Sequence, residues 1–328
     1  MEKRVSITDI ARRVGVSPTL VSYVLNGKEK EKRVGAEMAE KIRVAASEMN
    51  YQPNQIARSL RLGSTKTIGL IVADIANPFF RHFARVVEDV AFKAGYTVVF
   101  GSSDEDERKS AYLLDSLLNR QVDGLIIIPS EGSEKQIMNL HKKKKPFVLF
   151  DRFFANLAGS YIVLDNYMAT FTATKHLISK GYRKISLLAY RTSMIHMQER
   201  IRGYREAMEE AGLDHENYLS ELKFSHLYKD FENHISLYRN KNKGIEAVLC
   251  ANNGLSVNTL YYMRQNCIKI PDDIDFIGFD GGDSFDLYSP PLSFVKQPLE
   301  EMGKETVKLL TDLMKGSTKI SHIMLDPE

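Results

Sequence analysis

Apolar residues recur at two different periods along this chain. In the first fifty residues the spacing is helical. Ile7, Ile10, Ala11 and Val14 form one stripe, and Leu20, Val21 and Val24 form a second. Ser6 caps the first helix, with Asp9 three residues on at capping-box spacing. Gly15 supplies the positive φ of a tight turn, and Ser17-Pro18 is a cap followed by a first-turn proline. Met38, Ile42, Ala45 and Met49 predict a third helix that closes a small core. The charged stretch Gly27 to Val34 between them reads as a solvated loop. Packing the first two stripes together turns Ser17, Thr19, Ser22, Tyr23 and Asn26 outward, which predicts a helix-turn-helix whose second helix enters a DNA major groove. An αα-hairpin that only packs would show the same stripes. Pro53 then interrupts the helical pattern, and Asn54 caps a short predicted helix from Gln55 to Arg61, ended by Gly63-Ser64.

From Lys66 onward the period changes. Short continuous apolar runs alternate with amphipathic helical stretches: strands at Thr67 to Ala73, Thr97 to Gly101, Gly124 to Ile128 and Phe147 to Phe150, with helices at Phe79 to Lys93, Glu105 to Asn119 and up to Lys144. Such runs predict a parallel sheet covered on both faces. A second unit of the same kind is expected from about Ile162. It has helices at Asn166 to Ser179, Glu199 to Glu210, through Arg239, and Leu255 to Gln265, and strands at Ile185 to Ala189, near Leu222 to Phe224, Ala247 to Cys250 and Asp275 to Phe279. The echo between KTIGLIVA…VAFKAGY and RKISLLAY…AMEEAGL supports a duplicated plan. The tail recrosses as a strand at Leu292 to Lys296, a helix at Leu299 to Met314 and a last strand at Ile320 to Leu325. The expected division is 1–50 as headpiece, 51–65 as linker and 66–328 as a two-lobed core. Its lobe 1 covers about 66–161 plus 298–318, and its lobe 2 about 162–292 plus 319–328.

Charge sharpens the picture at one end. Met1 to Leu62 holds 12 Lys and Arg against 7 acids, a net +5 where the whole chain is +3. Positive charge gathered on the predicted headpiece fits phosphate binding. At 43% hydrophobic and 27% charged, the composition is that of an ordinary globular protein. The chain lacks a run of about 18 apolar residues or an apolar leader, so no membrane partner is expected and a cytoplasmic location is. Two cysteines, Cys250 and Cys267, make no disulfide framework.

Several motifs together resemble the LacI/GalR family of bacterial transcription regulators: Ile7-Thr8-Asp9-Ile10-Ala11, Val14-Gly15-Val16-Ser17, Val21-Ser22-Tyr23-Val24-Leu25-Asn26-Gly27 and YQPNQIARSLR from Tyr51 to Arg61. The resemblance implies a three-helix helix-turn-helix headpiece and a hinge helix. Behind them it implies an α/β core of two doubly wound parallel sheets, like a periplasmic sugar-binding protein. It also implies a homodimer on a palindromic operator and a hinge helix that forms where two copies meet in the minor groove, with Leu60 as an apolar wedge flanked by Arg58 and Arg61.

Ligands of open α/β sheets bind beyond the carboxyl ends of strands, here in the cleft between lobes. Strand ends place Asp74, Phe79-Phe80, Asp151-Arg152, Arg200, Asn252-Asn253, Asp280 and Gln297 near such a cleft. Carboxylates, an arginine, amides and aromatics in one place suit a polyhydroxylated ligand. The family resemblance marks Asp151, Arg200, Asn252, Asp280 and Gln297 as effector contacts, lined by Phe79 and Phe80. Asp151 and Asn253 could instead cap the segments that follow them. Asn252-Asn253 stands where the family often has Asn-Asp. The loop from Tyr190 to Gln198 does not show the Arg and Thr that purine-binding members use, which argues against a purine or nucleoside effector.

The chain shows no nucleotide-binding, hydrolase or zinc-protease signature, its eight histidines are scattered, and neither a cofactor nor a metal is expected. The reading is a ligand-controlled repressor, with a sugar or sugar derivative as effector. A transport solute-binding protein would need a leader and no headpiece, and an enzyme on a doubly wound fold would need a fingerprint this chain lacks.

Overall fold

The computed structural model describes residues 5–52, 63–223, 244–281 and 283–328. Two units divide between Thr65 and Lys66.

The first unit carries helices α1 (Ile7–Val14), α2 (Pro18–Leu25) and α3 (Ala36–Glu48). The Ser6 and Asp9 side chains form the full capping box, and Gly15 ends α1 at φ 77°. Ser17 Oγ accepts from the Leu20 N–H and caps α2. Ile10, Val21 and Ile42 are completely buried where the three helices meet, with Ala39, Ala45 and Ala46 allowing close approach. Arg13 reaches Glu48 at 3.3 Å, joining α1 to α3, and Arg43 reaches Glu29 at 2.6 Å, anchoring the charged loop. The predicted hinge helix, with Arg58 and Leu60, lies outside the described residues.

The second unit has two parallel sheets. The first contains β1 (Thr67–Val72), β2 (Thr97–Ser102), β3 (Gly124–Ile127), β4 (Phe147–Phe150), β5 (Ser160–Leu164) and β11 (His322–Leu325), in the order β11-β5-β4-β3-β1-β2. The second contains β6 (Ile185–Tyr190), β7 (Leu219–Leu222), β8 (Ala247–Cys250), β9 (Asp275–Phe279) and β10 (Ser293–Val295), in the order β10-β9-β8-β6-β7. Around the first sheet stand α4 (Pro78–Lys93), α5 (Glu107–Asn119), α6 (Glu134–Lys142) and α11 (Leu299–Met314). With the second go α7 (Asn166–Ser179), α8 (Ile195–Glu210), α9 (Asn253–Gln265) and the short α10 (Asp283–Asp286).

Two lobe boundaries differ from the sequence reading. Strand β5 belongs to the first sheet, pairing Val148 with Ser160, and Ile162 lies in the first lobe's core beside Val148 and Phe150. The last strand also joins the first sheet, with His322 opposite Tyr161, rather than the second lobe. The duplicated pattern suggests two equal lobes, but the tail can cover an open edge of the first sheet, and Ile323 and Leu325 pack on that lobe's core. Strand β7 lies at Leu219–Leu222, earlier than expected, and the helix predicted through Arg239 falls outside the described residues. Helix α8 begins at Ile195, so Arg200 sits in its second turn rather than opening it.

Helices α7 and α8 touch backbone to backbone. A Cβ on Gly203 would stand 2.2 Å from the Tyr167 carbonyl oxygen, and Thr170 Oγ1 donates to the Arg200 carbonyl at 2.7 Å. Only glycine allows this approach, and it fixes the turn that carries Arg200.

Candidate functional site

In the headpiece, Ser17, Thr19 and Asn26 are exposed and Ser22 and Tyr23 half-buried, all on or flanking α2. Their placement follows from burial of Val21 and Val24 on the opposite side. Asn26 Nδ2 donates to the Ser22 carbonyl at 2.6 Å, so part of its amide is spent on the helix end. Lys32 Nζ lies 5.8 Å from the Tyr23 ring centre.

In the core, a cleft of about 1390 Å³ opens between the lobes and is lined by residues from the C-terminal ends of strands in both sheets. Each predicted effector residue of the core lines it: Phe79, Phe80, Asp151, Arg200, Asn252, Asp280 and Gln297, together with Asp74, Arg152 and Asn253. Asp151 and Asp280 follow β4 and β9 with φ of 65° and 54°. This left-handed step is tolerated by aspartate and ends each strand abruptly.

On the first lobe, Arg152 is locked. Glu105 takes its two terminal nitrogens at 2.7 Å each, and Asp151 lies 3.3 Å from its Nε. Such a bidentate pair is geometrically specific. Burial pushes the Asp151 carboxyl up, against the pull of Arg152 and Arg200. Phe79 and Phe80 are core residues of this lobe, 4.9 Å apart edge to face, and present only a small surface to the cleft.

On the second lobe, Arg200 is 2% exposed. Its Nε donates to Asn166 Oδ1 at 2.7 Å and its Nη1 to the Ala251 carbonyl at 2.5 Å, and the guanidinium stacks 3.7 Å over the Phe279 ring. Among the described residues no hydrogen bond engages its Nη2, and Arg200 lines the cleft. Asp280 accepts from Gln297 Nε2 at 2.8 Å through one oxygen, which leaves the other for a ligand. Burial pushes the Asp280 carboxyl up to about 7, although Arg200 and Gln297 favour its charged form.

The helix cap falls to Asn252 rather than to Asn253. Asn252 caps α9, accepting from the Leu255 N–H at 2.8 Å, while Asn253 Nδ2 donates to the Asp280 carbonyl at 2.5 Å. Asp151 caps no helix. Both asparagines still line the cleft.

Several cleft residues escape the sequence reading. Glu105 reads as the start of a helix, yet it precedes α5 with φ 57°. Tyr190 ends β6, bonded to Asn252, and burial raises its phenol. His196 is 6% exposed, with Nδ1 unpartnered. Burial, with Arg152 and Arg200 nearby, holds it well below the usual imidazole range, so it is neutral. Glu131 enters from the first lobe. The loop after β6 also corrects the case against a purine: Arg191 and Thr192 stand in it and both line the cleft.

Among the described residues there is no cluster of His, Cys, Asp and Glu able to hold a metal, and no helix is long and apolar enough to cross a membrane.

Comparison with known proteins matches residues 6–54 to the model of bacterial regulatory proteins of the lacI family and 174–328 to a periplasmic binding protein-like domain. The chain is 32% identical to the HTH-type transcriptional repressor PurR of Vibrio campbellii, over 98% of this chain and 96% of that one. It is 31% identical to the ribose operon repressor of Haemophilus influenzae, again over 98% and 96%. Its fold is similar to the crystal structure of the lac repressor dimer bound to operator and the anti-inducer ONPF, with a TM-score of 0.85 at 22% identity, covering 99% of this chain and 97% of that one.

Proposed function

The chain belongs to the LacI family of transcription regulators, DNA-binding and ligand-responsive rather than enzymatic, and we propose that it is a homodimeric repressor of a pseudo-palindromic operator whose effector is a neutral polyhydroxylated molecule, a sugar or sugar derivative. The observation that carries the ligand class is the pairing in the second lobe. Arg200 offers an unspent Nη2 donor and Asp280 an unspent carboxylate oxygen, beside neutral His196. A hydroxyl can accept from the one and donate to the other. The buried cations Arg152 and Arg200 face Glu105, Asp151 and Asp280, so the site holds no surplus positive charge for an anionic ligand.

A purine is the second reading, favoured by the 32% identical relative named PurR and by Arg191 and Thr192 in the cleft. A thermal-shift screen of neutral sugars and purines separates the two. A ligand at about 100 times its Kd stabilises the native state by about 2.7 kcal/mol. A shift with purine bases and none with sugars would overturn the sugar reading.

On DNA, Thr19, Ser22 and Tyr23 face base edges, Ser17 lies nearer a phosphate, Asn26 contacts DNA from the end of the same helix, and Arg58 and Leu60 act at the hinge in the minor groove. Tyr23→Ala is expected to cost about 1–3 kcal/mol on the best site and to change base preference locally, as loss of one specific contact does. Selection of binding sites from random DNA with both proteins checks this, and identical preferred sites would remove Tyr23 from the reading surface. Ligand control then follows from any difference in the effector's affinity for two lobe arrangements, since it can shift operator binding only by that difference.

A further inference from the structure

We propose that Glu131 is a positioning residue of the ligand response, latching the two lobes together across the cleft so that the helix carrying Arg200 and His196 is held against the first lobe before any ligand arrives. Glu131 follows β3 in the first lobe, and its partners follow β6 in the second. Its carboxylate accepts from Thr192 Oγ1 at 2.9 Å, from the Ser193 N–H at 2.9 Å and from Ser193 Oγ at 2.5 Å. Three donors on one carboxylate make a directional clamp rather than a loose charge contact.

Both ends of the clamp are fixed within their own lobes. On the first side, Ser133 Oγ donates to the Ser130 carbonyl at 2.7 Å, and the buried hydroxyls of Ser103 and Ser130 meet at 3.1 Å. On the second side, Thr192 Oγ1 accepts from the Met194 N–H at 3.2 Å, and the Thr192 carbonyl accepts from Gln198 Nε2 at 2.6 Å. The Thr192-Ser193 turn is therefore tied to the first turns of α8, the helix that brings His196 and Arg200 into the cleft. The bonds can exist only while the lobes are close, so they favour that arrangement and are forfeited when it opens. Burial alone would raise the Glu131 carboxyl, but the Ser193 hydroxyl and N–H, the Thr192 hydroxyl and the charge of Arg152 together hold it below the usual range, as expected for an engaged carboxylate.

The consequence for the effector rests on the ligand-binding reading of the cleft, whereas lobe separation can be measured without ligand. One spin label goes on native Cys267, exposed in the second lobe, and one on Lys142→Cys, exposed in the first; Cys250 is fully buried. Labelled full-length chains are diluted into unlabelled ones so that only distances within a protomer are read. Without ligand, the otherwise unaltered protein should show one narrow short distance. Glu131→Ala should lower the closed-to-open ratio roughly tenfold, the scale of losing these hydrogen bonds, and add a longer distance. Glu131→Gln keeps one acceptor oxygen and should fall between them. Glu134→Ala, an exposed acid three residues on, should change nothing. Glu131→Ala should still unfold in one cooperative transition, its midpoint lowered by no more than about 2–4 °C, the cost of these hydrogen bonds, which separates opening from failure to fold. A Glu131→Ala distribution matching that of the otherwise unaltered protein, an equal shift from Glu134→Ala, or a protein already open before substitution would each overturn the latch.

Discussion

Asp280→Asn is expected to abolish the ligand response while making the ligand-free core more stable at pH 8, by about 2–4 kcal/mol, and by less than half as much at pH 5, where only the first part of the penalty has developed. Burial raises the Asp280 carboxyl to about 7, whereas in the unfolded chain it ionises near the ordinary value of 3.8. Between those two values the folded protein binds more protons than the unfolded one. Stability therefore falls as pH rises through that window, and the penalty is complete above about 7. Every tenfold difference in proton affinity between the folded and unfolded chain corresponds to about 1.36 kcal/mol, and the mutual influence of Asp280, Arg200 and Asp151 keeps the effect at or below the full difference. Asparagine has the same shape, cannot ionise, and keeps an oxygen for Gln297 Nε2. It cannot offer a carboxylate to a ligand hydroxyl. Effector binding should likewise tighten from pH 6 to pH 8 in the parent, because the ligand favours the ionised carboxyl. Urea unfolding at the two pH values, with operator titration in the presence of the screened ligand, checks both halves. A variant less stable than the parent at pH 8, or one that still responds, would show that Asp280 is not the strained group of the site.

The headpiece was legible because its signals are local. Ser6 with Asp9, Gly15 and Ser17-Pro18 each fix a helix end within four residues, and the structure uses every one of them. The core strands were legible as apolar runs buried on both faces. Which sheet a strand joins is a long-range matter, and there the repeat misled: β5 and β11 carry no local mark of the first lobe, and the pairing of His322 with Tyr161 closes more than 150 residues of chain. The cleft shows the same division. Asp280 and Asn252 lie at strand ends and could be placed by counting. Glu105 becomes a site residue only through Arg152, 47 positions later, and His196 only because α8 starts a turn before its apolar pattern suggests. The Thr192-Ser193 turn that starts α8 is shaped by side-chain bonds that periodicity does not register.

Val99→Asp combined with Phe100→Asp is expected to convert the proposed dimer to monomers and to weaken operator binding by about 10²- to 10⁴-fold, the range in which linking two binding modules exceeds a single one. Among the described residues, strand β2 pairs only with β1 and forms an edge of the first sheet. Its sequence, TVVFGS, carries no lysine or proline to blunt that edge. Phe100 is 59% exposed and Val99 37%, and on the helices beside this strand Phe92 is 78% and Tyr112 73% exposed. Apolar side chains gathered at an open edge mark an interaction surface. The occupant that fits is a second copy of the chain, because a two-fold axis brings the same strand and helices face to face in a self-complementary contact. A two-fold dimer in turn presents two copies of α2 to two half-sites, so losing the dimer halves the contacts and makes the second half-site a separate binding event. Both substitutions fall on exposed positions at the end of the sheet, so the monomer should keep its folded core and its effector affinity. Sedimentation equilibrium at micromolar protein, together with operator titration and ligand-induced thermal shift, tests each part. A double variant that sediments as a dimer and binds operator like the parent would move the interface elsewhere on the core. One that loses its ligand-induced shift as well would indicate that the two aspartates had disrupted the first lobe rather than its contact with a partner.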